Sequence, residues 1–382
     1  MAGKTVLILG GGTGGLVAAN RLRRMLGKEH RVVLLNRSPY YTFEPSLSWV
    51  MTGARHIVRI TRDLRSLEKK GIEVIIAEVS ALDTAQKKVL TNDAWLEYDY
   101  LVIALGVDYS SADVPGLNKA WTFYHPDGAE GLREELAKFR SGRVAVAVPA
   151  LPYKCPPAIY EGAMLLEAHF RKAGIRGDVE MTVYTPEESP LTLAGADISE
   201  RILELLRKKD IGFRGSVATK SVNHQKGLIN FEDGIQAPFD LLVATPIHNL
   251  PHALEESGLI GHDGWVAVNP EQLHTVAEGV YAVGDCTGIQ IGDGKSLPKA
   301  GVFAHGQAEV VARNITAEIA GHDPIWAYGG QGACFMETGD GKGSYISGEY
   351  YKQPPLVQMR EPGWLWHWSK AGFERLWLWR WF

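Results

Sequence analysis

Continuous apolar runs mark the interior strands of this chain. TVLIL (5–9), RVVLLN (31–36) and GRVAVAV (142–148) lack the alternation of a half-exposed strand, which predicts parallel strands buried on both faces. Two of these runs lead through a turn into helical spacing. LVAANRLRRMLG follows the first and AMLLEAHFRKAG the third, each ended by glycine. Two more strands, in YDYLVIALG (98–106) and VYAVGDCTG (280–288), flank the middle of the chain. Repeated strand–turn–helix units predict the α/β class, and 382 residues exceed one ordinary core, so two or three domains are expected.

Residues 364–382 break the pattern. WLWHWSKAGFERLWLWRWF holds six of the eleven tryptophans, as triplets at 364/366/368 and 377/379/381 around SKAGFER. Lys370, Glu374, Arg375 and Arg380 are too many charges for a spanning helix. Tryptophan favours the headgroup level and basic residues suit anionic lipid, so a monotopic anchor on the membrane surface is expected. Burial against another subunit of a homo-oligomer is the alternative.

Composition narrows the function. Basic and acidic residues nearly balance, 40 against 44, which argues against nucleic acid as a partner. The three cysteines lie far apart and the 12 histidines lack ligand spacing, so neither a disulfide scaffold nor a metal site is expected. KTVLILGGG is already a strand entering a loop, so no signal peptide is expected and the cytoplasmic face of the membrane is favoured. No run of about 18 uncharged apolar residues is present, so no helix should span a bilayer.

The first turn carries Gly10, Gly12, Thr13, Gly14 and Gly15 in the order G-x-G-x-x-G between strand and helix. Glycine allows the tight turn, the approach of backbone to pyrophosphate and close helix packing, with phosphate at the helix N-terminus. At the tip of the second strand Asn36 replaces the usual ribose-binding acid; it can bond a hydroxyl, or cap the next segment. The turn of the second unit reads VPALPYKCPP (148–157). Pro149, Pro152, Pro156 and Pro157 lack N–H donors, so a second pyrophosphate has poor footing and NADH is not expected as electron donor. Lys154 is a candidate for lowering the pKa of the neighbouring Cys155 thiol. Adjacent side chains on an extended loop point apart, however, which favours Lys154 in solvent. Cys286, beside Asp285, reads as packing.

The order of first phosphate loop, strand ending at Gly106, inserted middle and strand ending in Gly284-Asp285 resembles the two-dinucleotide-binding-domain flavoproteins. The resemblance implies two tandem Rossmann-like, doubly wound domains with a C-terminal membrane-contact region. The boundaries expected are 1–111 and 241–316 for the FAD-binding domain, 112–240 for the second unit, and 317–382 for the quinone and membrane region. It also implies FAD as cofactor, Asp285 on its ribityl chain, and Lys299 and Ala300 opening a helix beneath the flavin ring, whose dipole would favour negative charge on the reduced ring.

CPPAIYEGA (155–163) and ACF (333–335) are similar to the matching segments of sulfide:quinone oxidoreductases and of the flavoprotein subunit of flavocytochrome c sulfide dehydrogenases. That likeness extends over nearly the whole chain. It implies Cys155 and Cys334 as the sulfur-handling pair and Glu161 as a proton-handling carboxyl, with a helix-terminal charge the alternative for Glu161. It further implies Lys370 on a quinone carbonyl and Phe335 and Phe373 flanking the quinone ring. Three family features are missing, among them a histidine that many relatives place near the sulfur site and that has no counterpart in TPEESPLTLAG (185–195). Phe123 and Tyr124 stand where many members carry a third cysteine, with His125 retained, and Phe43 stands where a flavin-tethering cysteine would be, so non-covalent FAD is expected. The rival readings are a type II NADH:quinone oxidoreductase and a non-catalytic flavoprotein sensor or scaffold.

Overall fold

The computed structural model describes residues 3–92, 94–292 and 294–382. The first unit supplies β1 (Thr5–Leu9), α1 (Thr13–Met25), β2 (Arg31–Asn36), β3 (Glu73–Ile76) and β4 (Tyr100–Ile103). The second supplies β5 (Gly142–Ala147), α2 (Pro157–Lys172), β6 (Val179–Tyr184), β7 (Ile211–Arg214) and β8 (Leu241–Ala244). The chain then returns with β9 (Val280–Ala282) and α3 (Gly301–Ile319). It closes with β10 (Gln331–Gly339), β11 (Lys342–Glu349), β12 (Leu356–Met359) and α4 (Trp364–Trp381).

Both nucleotide-fold sheets are parallel. The first runs β9-β4-β1-β2-β3 and the second β7-β6-β5-β8. Their unbroken apolar sequences follow from burial on both faces. In β1, Val6 and Ile8 enter the core shared with α1, whereas Leu7 and Leu9 join a separate cluster with Leu101 and Ile103. In β5, Val144 and Val146 face the first of those cores, and Ala145 and Ala147 face a third cluster.

The structure shifts one boundary. Leu241–Ala244 pairs in parallel with β5, so the second unit continues past residue 240. LLVA has no polar face, and apolar continuity alone suits the central strand of either sheet. The two passages between units, Asp108–Ser110 and Ile247–Asn249, pair as antiparallel strands.

The C-terminal region completes the site. β10, β11 and β12 form an antiparallel meander, and α2 packs on β10 while α4 crosses β11 and β10. α1 and α3 lie against each other. No helix among the described residues is long and apolar enough to cross a membrane.

Candidate active site

The first phosphate loop is built by contacts that only glycine permits. Gly10 has φ +97°, and a Cβ at Gly15 would overlap the Gly10 carbonyl. A Cβ at Gly14 would meet Val283 Cγ2 at 2.9 Å. Gly12 and Gly106 differ, because a Cβ at either would project into open space. Gly12 is also the N-cap of α1, with no side-chain cap and no acid in the first turn. That leaves uncapped N–H groups and the positive end of the helix dipole facing the opening, as a pyrophosphate requires. Thr13 opens the helix, with its Oγ1 3.2 Å from where a Cβ on Gly301 would stand. Asn36 lies beside the loop, but its amide serves the loop itself: Oδ1 accepts from Gly11 N at 2.7 Å and Nδ2 donates to the Ser38 carbonyl at 2.7 Å.

Asp285 follows β9 on a turn opened by Gly284 at φ +79°, whose N–H donates to Gln307 Oε1 at 2.7 Å. Asp285 Oδ1 is buried and bonds nothing. Burial lifts this carboxyl above the ordinary range, against the pull of Lys154 and Lys299. An unpartnered buried acceptor calls for a donor, and a ribityl hydroxyl supplies one. Lys299 braces the turn, donating to the Asp285 carbonyl at 2.6 Å, and lies 3.2 Å from the Trp265 ring centroid. Burial pushes Lys299 down to about 8. Ala300 then starts α3 without a side-chain cap, so this helix also presents bare N–H groups. The residues present fit FAD.

The second turn has a different construction. Pro156 and Pro157 are the N-cap and first residue of α2, where a missing N–H costs no helical hydrogen bond. The next donor, Ala158 N, bonds the Cys155 carbonyl at 2.8 Å. Little remains there to hold phosphate. Cys155 itself is left-handed at φ +52°, pinned by its N–H to the Lys299 carbonyl at 2.6 Å. That links the cysteine loop directly to the residue before Ala300, the N-cap of α3.

Cys334 sits on β10, opposite Ile346 of β11, and α2 packs on the same strand. Both thiols are free. Each lies in the field of Glu161 and Lys370, and Cys155 is the charge that most raises Cys334 after burial. Burial pushes Cys155 up to about 12 and Cys334 higher, although Lys370 and Lys154 pull Cys155 down. The lesser reading of Lys154, as the residue that lowers the Cys155 thiol, does not hold: desolvation outweighs the lysine.

The solvated Lys154 is corrected as well. Its Nζ pairs with Glu44 Oε2 at 2.8 Å and lies 5.3 Å from the Tyr109 ring centroid. Burial opposes the charge, but Glu44 and Tyr109 hold Lys154 well above its ordinary value. The left-handed turn at Cys155 breaks the alternation that would have sent neighbouring side chains apart.

Glu161 lies a turn inside α2, not at its end, and is 5% exposed. It accepts from Lys370 Nζ at 2.7 Å, from Ser48 Oγ and from the Glu337 backbone N–H at 3.0 Å. Lys370 also lies 4.7 Å from the Trp49 ring centroid. Phe335 and Phe373 meet beside this pair, with centroids 6.1 Å apart and planes tilted by 48°. A ring stacked between two faces needs about 7 Å, twice a carbon contact, so Phe373 must swing outward to flank one. It is free to do so on its outer side, being 37% exposed.

Tyr124 and His248 lie near the cysteine loop as well. Tyr124 has a buried hydroxyl with no partner, and its ring lies edge-on to His248 at 5.9 Å. Burial pushes His248 down to about 3, so it is neutral, and its Nε2 accepts from Lys154 N at 3.3 Å. His125 instead caps the helix Pro126–Leu136, accepting from Gly128 N at 3.0 Å. Cys286 is fully buried among Leu9, Ile103 and their neighbours. Sequence reading missed Ser48, Glu337 and His367. Two of them carried a signal: Glu337 shares a strand face with Phe335 at i+2, and His367 shares a helix face with Lys370 at i−3.

α4 is inside-out for a helix at a water surface. Lys370 and Glu374 are buried, with Glu374 held by Arg55 Nε at 3.0 Å. Trp364, Leu365, Trp368, Leu376 and Trp379 face outward, each at least half exposed. These positions recur at helical spacing and form one face.

Comparison with known proteins agrees with this construction. A sulfide:quinone oxidoreductase from mouse mitochondria is 27% identical over 93% of this chain and 81% of its own. The sulfide-quinone reductase of Aquifex aeolicus is 25% identical over 99% of this chain and 91% of its own. The crystal structure of the Aquifex aeolicus sulfide:quinone oxidoreductase superimposes with a TM-score of 0.90, covering 99% of this chain and 91% of that one. A type II NADH:quinone oxidoreductase of Staphylococcus aureus is more distant, at 21% identity over 89% of each chain. Residues 4–148 and 161–308 match the pyridine nucleotide-disulphide oxidoreductase family, and with that match spanning most of its length the chain belongs to this family.

Proposed function

We propose that this chain oxidises sulfide at Cys155 and Cys334 and passes two electrons through FAD to a membrane quinone. The observation that carries the reading is that two free, half-buried cysteines share the field of the Glu161–Lys370 pair, one of them at the turn where a second dinucleotide loop is replaced by proline. FAD, held by Gly10–Gly15, Asp285 and the α3 N-terminus, supplies two-electron redox chemistry when bound.

The residues account for the sulfur chemistry. In the oxidised enzyme, in which the two free thiols have given up two protons and two electrons to close a Cys155–Cys334 bond, HS⁻ attacks that bond, forming a persulfide on one cysteine and freeing the other as thiolate. The thiolate joins the persulfide's outer sulfur, which releases one proton and two electrons and leaves a trisulfide. Thiols raised by burial are poor resting nucleophiles, so the incoming HS⁻ is the attacking group. Tyr124 and neutral His248 give the pocket polar edges without adding charge.

Quinone enters beside Phe335 and Phe373, where Lys370 donates to a carbonyl and Glu161 handles its proton. The outward tryptophans of α4 lie at the headgroup level, which opens the pocket toward lipid and makes the protein peripheral rather than spanning. NADH oxidation is the lesser reading, because Pro156 and Pro157 remove donors where its pyrophosphate would bind.

The test is turnover. Flavin-loaded protein should reduce a short-chain quinone analogue with sulfide, one quinol per sulfide consumed. A purified flavoprotein with no sulfide-dependent quinone reduction would overturn the reading.

A further inference from the structure

Glu337 and His367 extend the Glu161–Lys370 pair toward solvent. Glu337 is 1% exposed on β10, and its Oε2 accepts from His367 Nδ1 at 2.7 Å. Its Oε1 is also buried and bonds nothing. The charged groups that face Glu337 are Lys370 and His367 from α4 and Glu161 from α2. Burial lifts its carboxyl above the ordinary range, against Lys370, so it can carry a proton nearer neutral pH. His367 lies one turn before Lys370 on α4, edge-on to Trp49 and Trp368 at 5.6 and 5.4 Å, and its side chain is 26% exposed. A carboxylate kept only to fasten α4 to β10 has no use for a buried, unbonded oxygen, which is costly to keep out of water.

We propose that His367 and Glu337 form a proton relay from solvent to the Glu161–Lys370 pair. Given quinone as the acceptor, on which this inference rests, the proton balance demands one. Oxidation of HS⁻ to sulfane sulfur releases two electrons and one proton. Reduction of quinone to quinol consumes two electrons and two protons. One proton per turnover must therefore come from solvent, yet Glu161, Lys370 and Glu337 are each at most 5% exposed. His367 takes it up at its outer nitrogen and passes the Nδ1 proton to Glu337 Oε2. Rotation of the Glu337 carboxyl then turns that proton toward Lys370 and Glu161, which protonate the reduced quinone.

The experiment compares His367→Ala and Glu337→Gln with the native holoenzyme in both half-reactions. Flavin reduction by sulfide should be unchanged. Quinone reduction should slow by about tenfold or more, with little change in the quinone KM. The deficit should deepen as pH rises, because direct protonation from solvent falls with proton concentration. Imidazole, a small proton carrier, should restore His367→Ala in a saturable manner and leave Glu337→Gln slow. A purely structural salt bridge predicts no response to imidazole. Native rates in either variant, or a His367→Ala deficit that imidazole does not relieve, would overturn the relay alone. A native enzyme that reduces no quinone with sulfide would overturn the relay together with the functional reading.

Discussion

Cys155→Ser and Cys334→Ser each lose sulfide-dependent quinone reduction by on the order of a thousandfold or more, with FAD still bound. A serine oxygen cannot form the persulfide or close the sulfur bridge, so no partial substitute exists. The phosphate loop at Gly10–Gly15 and the Asp285 turn are untouched by either change, which keeps the flavin spectrum as the control. Cys286→Ser should retain substantial turnover, because that thiol sits in a separate apolar cluster. Anaerobic flavin reduction by sulfide, followed by absorbance, separates these outcomes. Retained turnover in both single variants would remove the pair from the mechanism.

Replacing Trp364, Trp368 and Trp379 together by serine should weaken binding to anionic phospholipid vesicles by on the order of a hundredfold. The three side chains are 67%, 62% and 79% exposed, so their loss leaves the fold intact. Sulfide turnover with a water-soluble quinone analogue should persist in the same variant. Vesicle sedimentation against steady-state rate reads both effects. Equal binding of native and triple variant would assign the outward face to a protein contact. Deleting the whole segment is a poorer test, since Trp377, Leu378 and Trp381 are core residues. Deletion would also strip Lys370 from Glu161 and leave a buried carboxylate uncompensated.

The first phosphate loop is legible in sequence because strand, glycines and helix are contiguous, and Gly10, Gly14 and Gly15 each answer to a local contact. The proline turn is legible for the same reason: the donors it lacks are its own. What depends on distant chain segments is less legible. Glu161 could be placed beside the helical run AMLLEAHFRKAG, but its partners Ser48, Lys370 and Glu337 come from three other elements. Lys154 goes astray because one left-handed residue, Cys155, reverses the direction rule for its neighbour. The burial of two charged residues on a tryptophan-rich helix is likewise set by Glu161 and Arg55, which no periodicity within residues 364–382 can reveal. LLVA at 241–244 is ambiguous until its partner strand is known.

The claim at the centre of this account is that electrons enter as sulfide at a cysteine pair and not as hydride from a nicotinamide. Oxidised, flavin-loaded protein mixed anaerobically with sulfide, and separately with NADH, tests it in one absorbance trace each. Sulfide should bleach the flavin within the first turnover, and micromolar NADH should leave it oxidised, because the α2 N-terminus offers Pro156 and Pro157 where a pyrophosphate needs N–H donors. Rapid bleaching by micromolar NADH, with none by sulfide, would contradict the account.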